Sequence, residues 1–215
     1  TSQTWTYDQA GNVLTQTDRR GIATRTSYDG ENRPLEVRRA GLIQVLNRYD
    51  VAGRLIQATD ANGNVTETSF DRAGRRLEQT RAGLATTRWT YNTVGDVLTI
   101  TDPDGLTTTQ TWDLRQRMTS STTASNDTTQ YQYDGVGNQT RKIRPSDDEW
   151  IYVYDQADRL ETMIDPLGHE TIYAYDLNDN LTGQTNARGH STAFSYDALD
   201  HLTTRTYPDA VSETF

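Results

Sequence analysis

Ten aromatic residues recur every 21 positions without a slip: Tyr7, Tyr28, Tyr49, Phe70, Tyr91, Trp112, Tyr133, Tyr154, Tyr175 and Tyr196. Eight are tyrosine, and all but Tyr91 are followed by aspartate. A constant period of this length is the mark of a repeat array. Each supersecondary unit is too small to bury its own apolar face and must stack on its neighbours.

Each unit carries two turn signals. Four places after the anchors stand Gly11, Asn32, Gly53, Gly74, Gly95, Gln116, Gly137, Asp158, Asp179 and Asp200, and all except Gln116 are types that tolerate positive φ. The aspartate after the anchor therefore opens an Asp-x-x-Gly turn, its carboxylate placed to accept the backbone N–H two residues on. Asp8 with Gly11, Asp50 with Gly53, Asp71 with Gly74 and Asp134 with Gly137 are the plainest cases. A second turn follows in the same idiom at Asp18–Gly21, Asp60–Gly63, Asp102–Gly105, Asp165–Gly168 and Asn186–Gly189, with the glycine one place earlier at Gly41 and Gly83. Two turns per unit leave two segments of about six residues, the usual strand length.

The segment entering each anchor alternates with period two, as a half-buried strand does. Trp5, Trp89, Tyr131, Tyr152, Tyr173 and Phe194 stand two before an anchor and share its face, while Thr6, Gln132 and Ala174 fall between. No helical spacing is sustained over a dozen residues. The expected architecture is all-β: tandem 21-residue hairpins in one long, curved, spiralling antiparallel sheet, a single array over 1–215. Trp5 ahead of the first anchor and Phe215, two places before an eleventh anchor would fall, suggest that the array is incomplete at both ends.

Composition agrees with a thin core. Hydrophobic residues make up 33% and mean hydropathy is -0.83, too low for a packed globule of this length, yet the apolar residues are concentrated at repeated positions. Net charge is -9, and Lys142 is the lone lysine among 21 basic residues, so a phosphate backbone would be repelled and nucleic acid is not an expected partner. No apolar run approaches the ~20 residues of a membrane-spanning helix. The chain has no cysteine, hence no disulfide, thiolate metal site or cysteine nucleophile.

Tyr7-Asp8-Gln9-Ala10-Gly11-Asn12, Tyr49-Asp50-Val51-Ala52-Gly53-Arg54 and the looser Tyr154-Asp155-Gln156-Ala157-Asp158-Arg159-Leu160 resemble the YD repeats of the RHS family, and the resemblance covers essentially the whole chain. That family includes bacterial polymorphic toxins, insecticidal toxin complexes, wall-associated toxins and teneurins. The resemblance implies a segment of a hollow β-shell, without enzymatic activity, that encloses a C-terminal toxin or other cargo polypeptide. It also implies partners in the rest of a larger exported protein, secreted or cell-surface, with a bacterial toxin foremost. The alternative it permits is an extracellular recognition module for carbohydrate or protein. No terminal RHS core and no variable C-terminal domain is recognisable, so none of the family's self-cleavage residues can be placed on this chain.

Twenty strands at ~4.8 Å make a ribbon of about 95 Å; closed into one ring it would leave a lumen near 20 Å. A folded 100-residue domain, with a radius of gyration of about 13 Å, would not fit. The segment is expected to be a piece of wall, with two edge strands able to pair with other copies.

Candidate chemistry is sparse. His169 and His190 hold equivalent places in successive units, about 9.6 Å apart on a two-strand repeat, too far to share a zinc with ~2.0–2.1 Å ligand bonds. Solvated turn histidines are the better reading, and His201 sits beside a turn aspartate. The runs Asp60-Ala61-Asn62-Gly63-Asn64 and Asp176-Leu177-Asn178-Asp179-Asn180 invite calcium, but backbone-capping Asx turns account for the same residues. No carboxylate pair is singled out for glycoside cleavage. No catalytic, cofactor or metal residue is therefore expected; the residues of consequence are the anchors and turns. The pattern weakens over 112–127, where a frayed hairpin, a bent corner or a functional loop would fit. The anchor aromatics suit a thin core better than a sugar-stacking surface. Arg20, Arg33, Arg54, Arg75, Arg117 and Arg159 are expected to cover exposed faces or pair with turn aspartates, each contributing little if exposed.

Overall fold

The computed structural model describes residues 2–215. It contains strands, turns and no helix among them: β1 (Thr4–Tyr7), β2 (Val13–Thr17), β3 (Ala23–Tyr28), β4 (Pro34–Arg39), β5 (Leu42–Tyr49), β6 (Leu55–Asp60), β7 (Val65–Phe70), β8 (Arg76–Arg81), β9 (Ala85–Tyr91), β10 (Val97–Thr101), β11 (Thr107–Trp112), β12 (Met118–Thr122), β13 (Thr128–Tyr133), β14 (Gln139–Ile143), β15 (Glu149–Tyr154), β16 (Leu160–Ile164), β17 (Glu170–Tyr175), β18 (Leu181–Thr185), β19 (Ser191–Tyr196), β20 (Leu202–Thr206) and β21 (Ser212–Thr214). The expected all-β class and two strands per repeat are what the chain adopts. Contacts divide it into two units, Thr1–Thr109 and Gln110–Phe215.

Within the first unit, each strand pairs antiparallel with the next, from β1 with β2 to β10 with β11. Within the second, β12 to β21 do the same. Strands in each unit pack only on the strand before and the strand after. In the anchor strands after β1, which is exposed throughout, the anchor face is half-buried and alternate residues are exposed, as Tyr131 and Tyr133 against Gln130 and Gln132 show. No described residue is fully buried.

The first turn is a three-residue hairpin loop. Asp8 N–H donates to Asn12 O at 3.0 Å and Gly11 N–H to Asp8 O at 3.2 Å, with Gly11 at φ 87°. This is a type I turn closed by a left-handed residue, the usual three-residue hairpin connection. All ten residues at the fourth place have positive φ, including Gln116 at 61°. The second turns repeat the geometry, and where glycine moves one place earlier, Ala40 (φ 51°) and Gly41 (φ 82°) are both left-handed.

Of the three expectations for segment 112–127, fraying is not what the structure shows: both of its turns are closed in the regular way. Asp113 accepts from Arg115 N–H at 2.8 Å and Arg117 N–H at 3.0 Å. At the second turn Thr123 Oγ1 takes the aspartate's place, accepting Asp127 N–H at 3.2 Å, and Asn126 supplies the left-handed residue at φ 68°. Any polar side chain that accepts locally and any residue able to sit at positive φ will close such a turn.

A bulge, which the period alone does not reveal, sits where nine of the anchors meet the strand after their turn. Thr6 pairs with Thr15 but Tyr7 with Val13, so Leu14 is extra. The same slip skips Leu35, Ile56, Leu77, Leu98, Thr140, Glu161, Thr182 and Thr203. A bulge disturbs the ladder and leaves a backbone group to be satisfied elsewhere. The next anchor does this: Tyr28 donates its hydroxyl to Val13 O (3.2 Å), Tyr49 to Pro34 O (3.1 Å), Tyr91 to Arg76 O (2.7 Å), Tyr133 to Met118 O (2.9 Å), Tyr154 to Gln139 O (3.0 Å), Tyr175 to Leu160 O (3.0 Å) and Tyr196 to Leu181 O (3.0 Å). This accounts for the preference for tyrosine over phenylalanine. Tyr154→Phe is expected to cost about 1 kcal/mol, read as a lower denaturation midpoint at unchanged slope.

Candidate functional site

Because all pairing is local, the chemistry of the chain is concentrated where one repeat meets the next. The turn aspartates named from sequence are each at the centre of a small hydrogen-bonded cage. Asp8 Oδ1 accepts Ala10 N–H (2.9 Å) and Asn12 N–H (2.8 Å), and its Oδ2 accepts the Asn12 amide (2.9 Å). Asp50 and Asp71 bind the corresponding backbone groups and hold Arg54 and Arg75 through Nε at 2.6 Å. Asp134 accepts from Val136, Gly137 and Asn138 N–H. Gly11, Gly53, Gly74 and Gly137 occupy the left-handed position of these turns.

Those donors keep the carboxyls below the ordinary range. For Asp18, Asp29, Asp50, Asp71, Asp113, Asp165 and Asp197 the main cause is the backbone N–H four residues on. For Asp8, Asp60 and Asp155 it is the side chain four residues on, Asn12, Asn64 and Arg159. Burial instead raises the hydroxyls of Tyr133, Tyr154 and Tyr175, in keeping with neutral donors to a carbonyl.

The arginines do more than their sequence positions suggested. The guanidinium five places after one anchor lies over the ring of the next: Arg33 over Tyr49 (4.9 Å), Arg54 over Phe70 (5.0 Å), Arg75 over Tyr91 (4.7 Å), Arg117 over Tyr133 (4.7 Å) and Arg159 over Tyr175 (4.8 Å). Nη1 then reaches a backbone carbonyl of that next turn, Asp71 O (3.0 Å), Asn92 O (3.0 Å), Asp134 O (2.8 Å) and Asp176 O (2.7 Å) for the last four. These side chains are only 23–32% exposed, which separates them from Arg20 at 74%, 3.6 Å from Asp18. The expected pairing with turn aspartates is found at Arg20 and at these five, and the five are not exposed: a cation–π contact and an ion pair share one partly desolvated group. The signal was present in sequence as Arg at one place and an aromatic sixteen residues later, but only the ladder register brings the two together.

The same contacts bear on sugar stacking. Five anchor rings carry a guanidinium, and Trp89, Trp150 and Phe194 are approached by Arg76, Arg144 and Arg205. A pyranose would have to displace an arginine from a ring so covered. His169 and His201 bond their own turn aspartates, Asp165 at 3.0 Å and Asp197 at 3.1 Å. No group of three metal-ligating side chains is present among the described residues.

The Teneurin YD-shell family model matches residues 48–213, and the RHS repeat model matches residues 3–41. No curated protein matches the chain. Solved structures share the fold at low identity. TcdB2-TccC3-TEV aligns at TM-score 0.73 and 18% identity over 94% of this chain and 13% of that one, and TcdB2-TccC3-Cdc42 at TM-score 0.74 and 18% over 95% and 13%. The Photorhabdus luminescens Tc holotoxin pore aligns at TM-score 0.55 and 15% over 99% and 14%. The chain thus spans a small fraction of the structures it matches. Aromatic anchors in unbroken 21-residue register and a YD-shell match over well more than half the length place the chain in the RHS/YD-repeat family.

Proposed function

We propose that the chain is a non-enzymatic wall segment of a hollow YD-shell belonging to a larger exported protein, and that the shell confines a cargo polypeptide. The observation that carries this reading is the absence of any fully buried described residue in a chain whose strands pack only on their sequence neighbours. Such a layer has no core in which to hold a catalytic group away from water, but it has faces of its own to present. An acidic surface with net charge -9 and polar alternate residues offers an enclosed chain little apolar purchase.

Limited proteolysis of the complete gene product tests the proposal. A segment outside the repeats should resist protease while the repeats are intact, and become cleavable in a variant with two neighbouring anchors, Tyr154 and Tyr175, replaced by alanine. A segment cut equally fast in both proteins would refute confinement. Glycan binding by the isolated repeats would favour recognition instead.

A further inference from the structure

Two positions facing each other across successive turns vary together. One is the residue five places after an anchor, which bonds its own turn aspartate; the other is the left-handed residue four places after the next anchor. Eight such junctions lie within one or other unit. Where the first is asparagine, the second has a side-chain oxygen: Asn12 with Asn32, Asn138 with Asp158, Asn180 with Asp200. Where the first is arginine, the second is glycine at Gly53, Gly74, Gly95 and Gly137, and aspartate once, at Asp179.

The geometry gives the reason. An asparagine amide is short and has a donor left over after serving its own aspartate. It finds an acceptor on the neighbour at 2.7 Å (Asn32 Oδ1), 2.9 Å (Asp158 Oδ1) and 2.8 Å (Asp200 Oδ1). Arginine is longer, passes the left-handed residue and lands on the next ring and carbonyl, so it needs no acceptor there. A Cβ built on Gly53 would crowd Arg33 Nη1 at 2.8 Å, one on Gly74 would make ordinary contact 3.9 Å from Arg54 Nη1, and one on Gly137 would meet nothing within 4 Å. Asp179 satisfies the arginine in another way, accepting Arg159 Nη1 at 2.8 Å.

We propose that this pair is a neighbour selector. The residue five places after an anchor fixes which left-handed residue the following repeat must present, so asparagine-type and arginine-type repeats join in order only to matching partners. Aspartate at the left-handed position accepts either type, whereas glycine accepts only arginine. The selector sits on turns rather than in the ladder, which leaves the strands free to keep a common register while specificity is written at one edge.

A double-mutant cycle in the full 215-residue chain tests this. Arg54→Asn leaves an amide facing Gly74 with no acceptor, and hydrogen exchange of the β7–β8 hairpin amides should quicken by about tenfold. Gly74→Asp alone should change exchange by less than about twofold, since it recreates the Arg159–Asp179 arrangement. The double variant, which recreates Asn138–Asp158, should return to within about threefold of the parent. Equal acceleration by Arg54→Asn in the parent chain and in the Gly74→Asp background would overturn the proposal. If Arg54→Asn alone does not fold, folding of the double variant supports the selector and its failure to fold refutes it.

Discussion

Acidification should unfold this chain abruptly once the pH drops below about 4, the unperturbed range of aspartate. Asp8, Asp18, Asp29, Asp50, Asp60, Asp71, Asp113, Asp155, Asp165 and Asp197 all have carboxyls held low by the turn donors. A depressed folded value means that the unfolded chain takes up protons first. The stabilisation is therefore complete above the unfolded value and disappears as the pH falls through the folded ones. Each contribution is modest on an exposed turn, but the same group recurs in nearly every hairpin, so the losses accumulate. Protonation also turns a net charge of -9 into one set by 21 basic residues and three histidines, and the arginines clamped between turns then repel one another. Circular dichroism between pH 6 and pH 2 would show this as a cooperative loss of β-signal. A spectrum unchanged at pH 2 would mean that the turns depend on shape alone, as the asparagine-capped turn at Asn92 does, where Oδ1 accepts from Val94, Gly95 and Asp96 N–H without charge.

Removing an anchor ring should be the most damaging single substitution. Tyr133 donates to Met118 O at 2.9 Å, lies under Arg117 at 4.7 Å and belongs to the half-buried face of β13. Truncating a fully buried aromatic costs ~3–5 kcal/mol, and about half of that, ~2 kcal/mol, suits a ring buried on one face. For a chain of this size the melting temperature should fall by roughly 4–8 °C. Tyr133→Phe should lose only the hydroxyl's share, as the natural Phe70 implies. Equal losses from Tyr133→Ala and Tyr133→Phe would place the whole effect in the hydrogen bond and none in the ring.

The anchors, the two-strand repeat and most left-handed turn positions were legible because each is a property of one unit, copied at constant spacing. Gly11 and Gly53 needed nothing beyond their own turn to be recognised. Gln116 and Ala210 also take positive φ, yet neither residue type announces it; there the ladders on both sides impose the loop. What escaped the sequence were relations between units. The skipped residue of each bulge, the tyrosine hydroxyl fifteen residues from its carbonyl and the arginine sixteen residues from its ring follow from strand register, which period alone does not set. Trp112 to Asp127 departs from the pattern in composition alone, since Thr123 and Asn126 perform the same backbone tasks as the residues they replace.

Pairing that never leaves the neighbouring strand also governs how such a chain comes into being. Every contact a hairpin needs is made with residues synthesised just before it, so closure entropy is small and the same at each step. A polypeptide leaving the ribosome can lay down its hairpins one after another in the order of translation, without waiting for a distant segment to arrive.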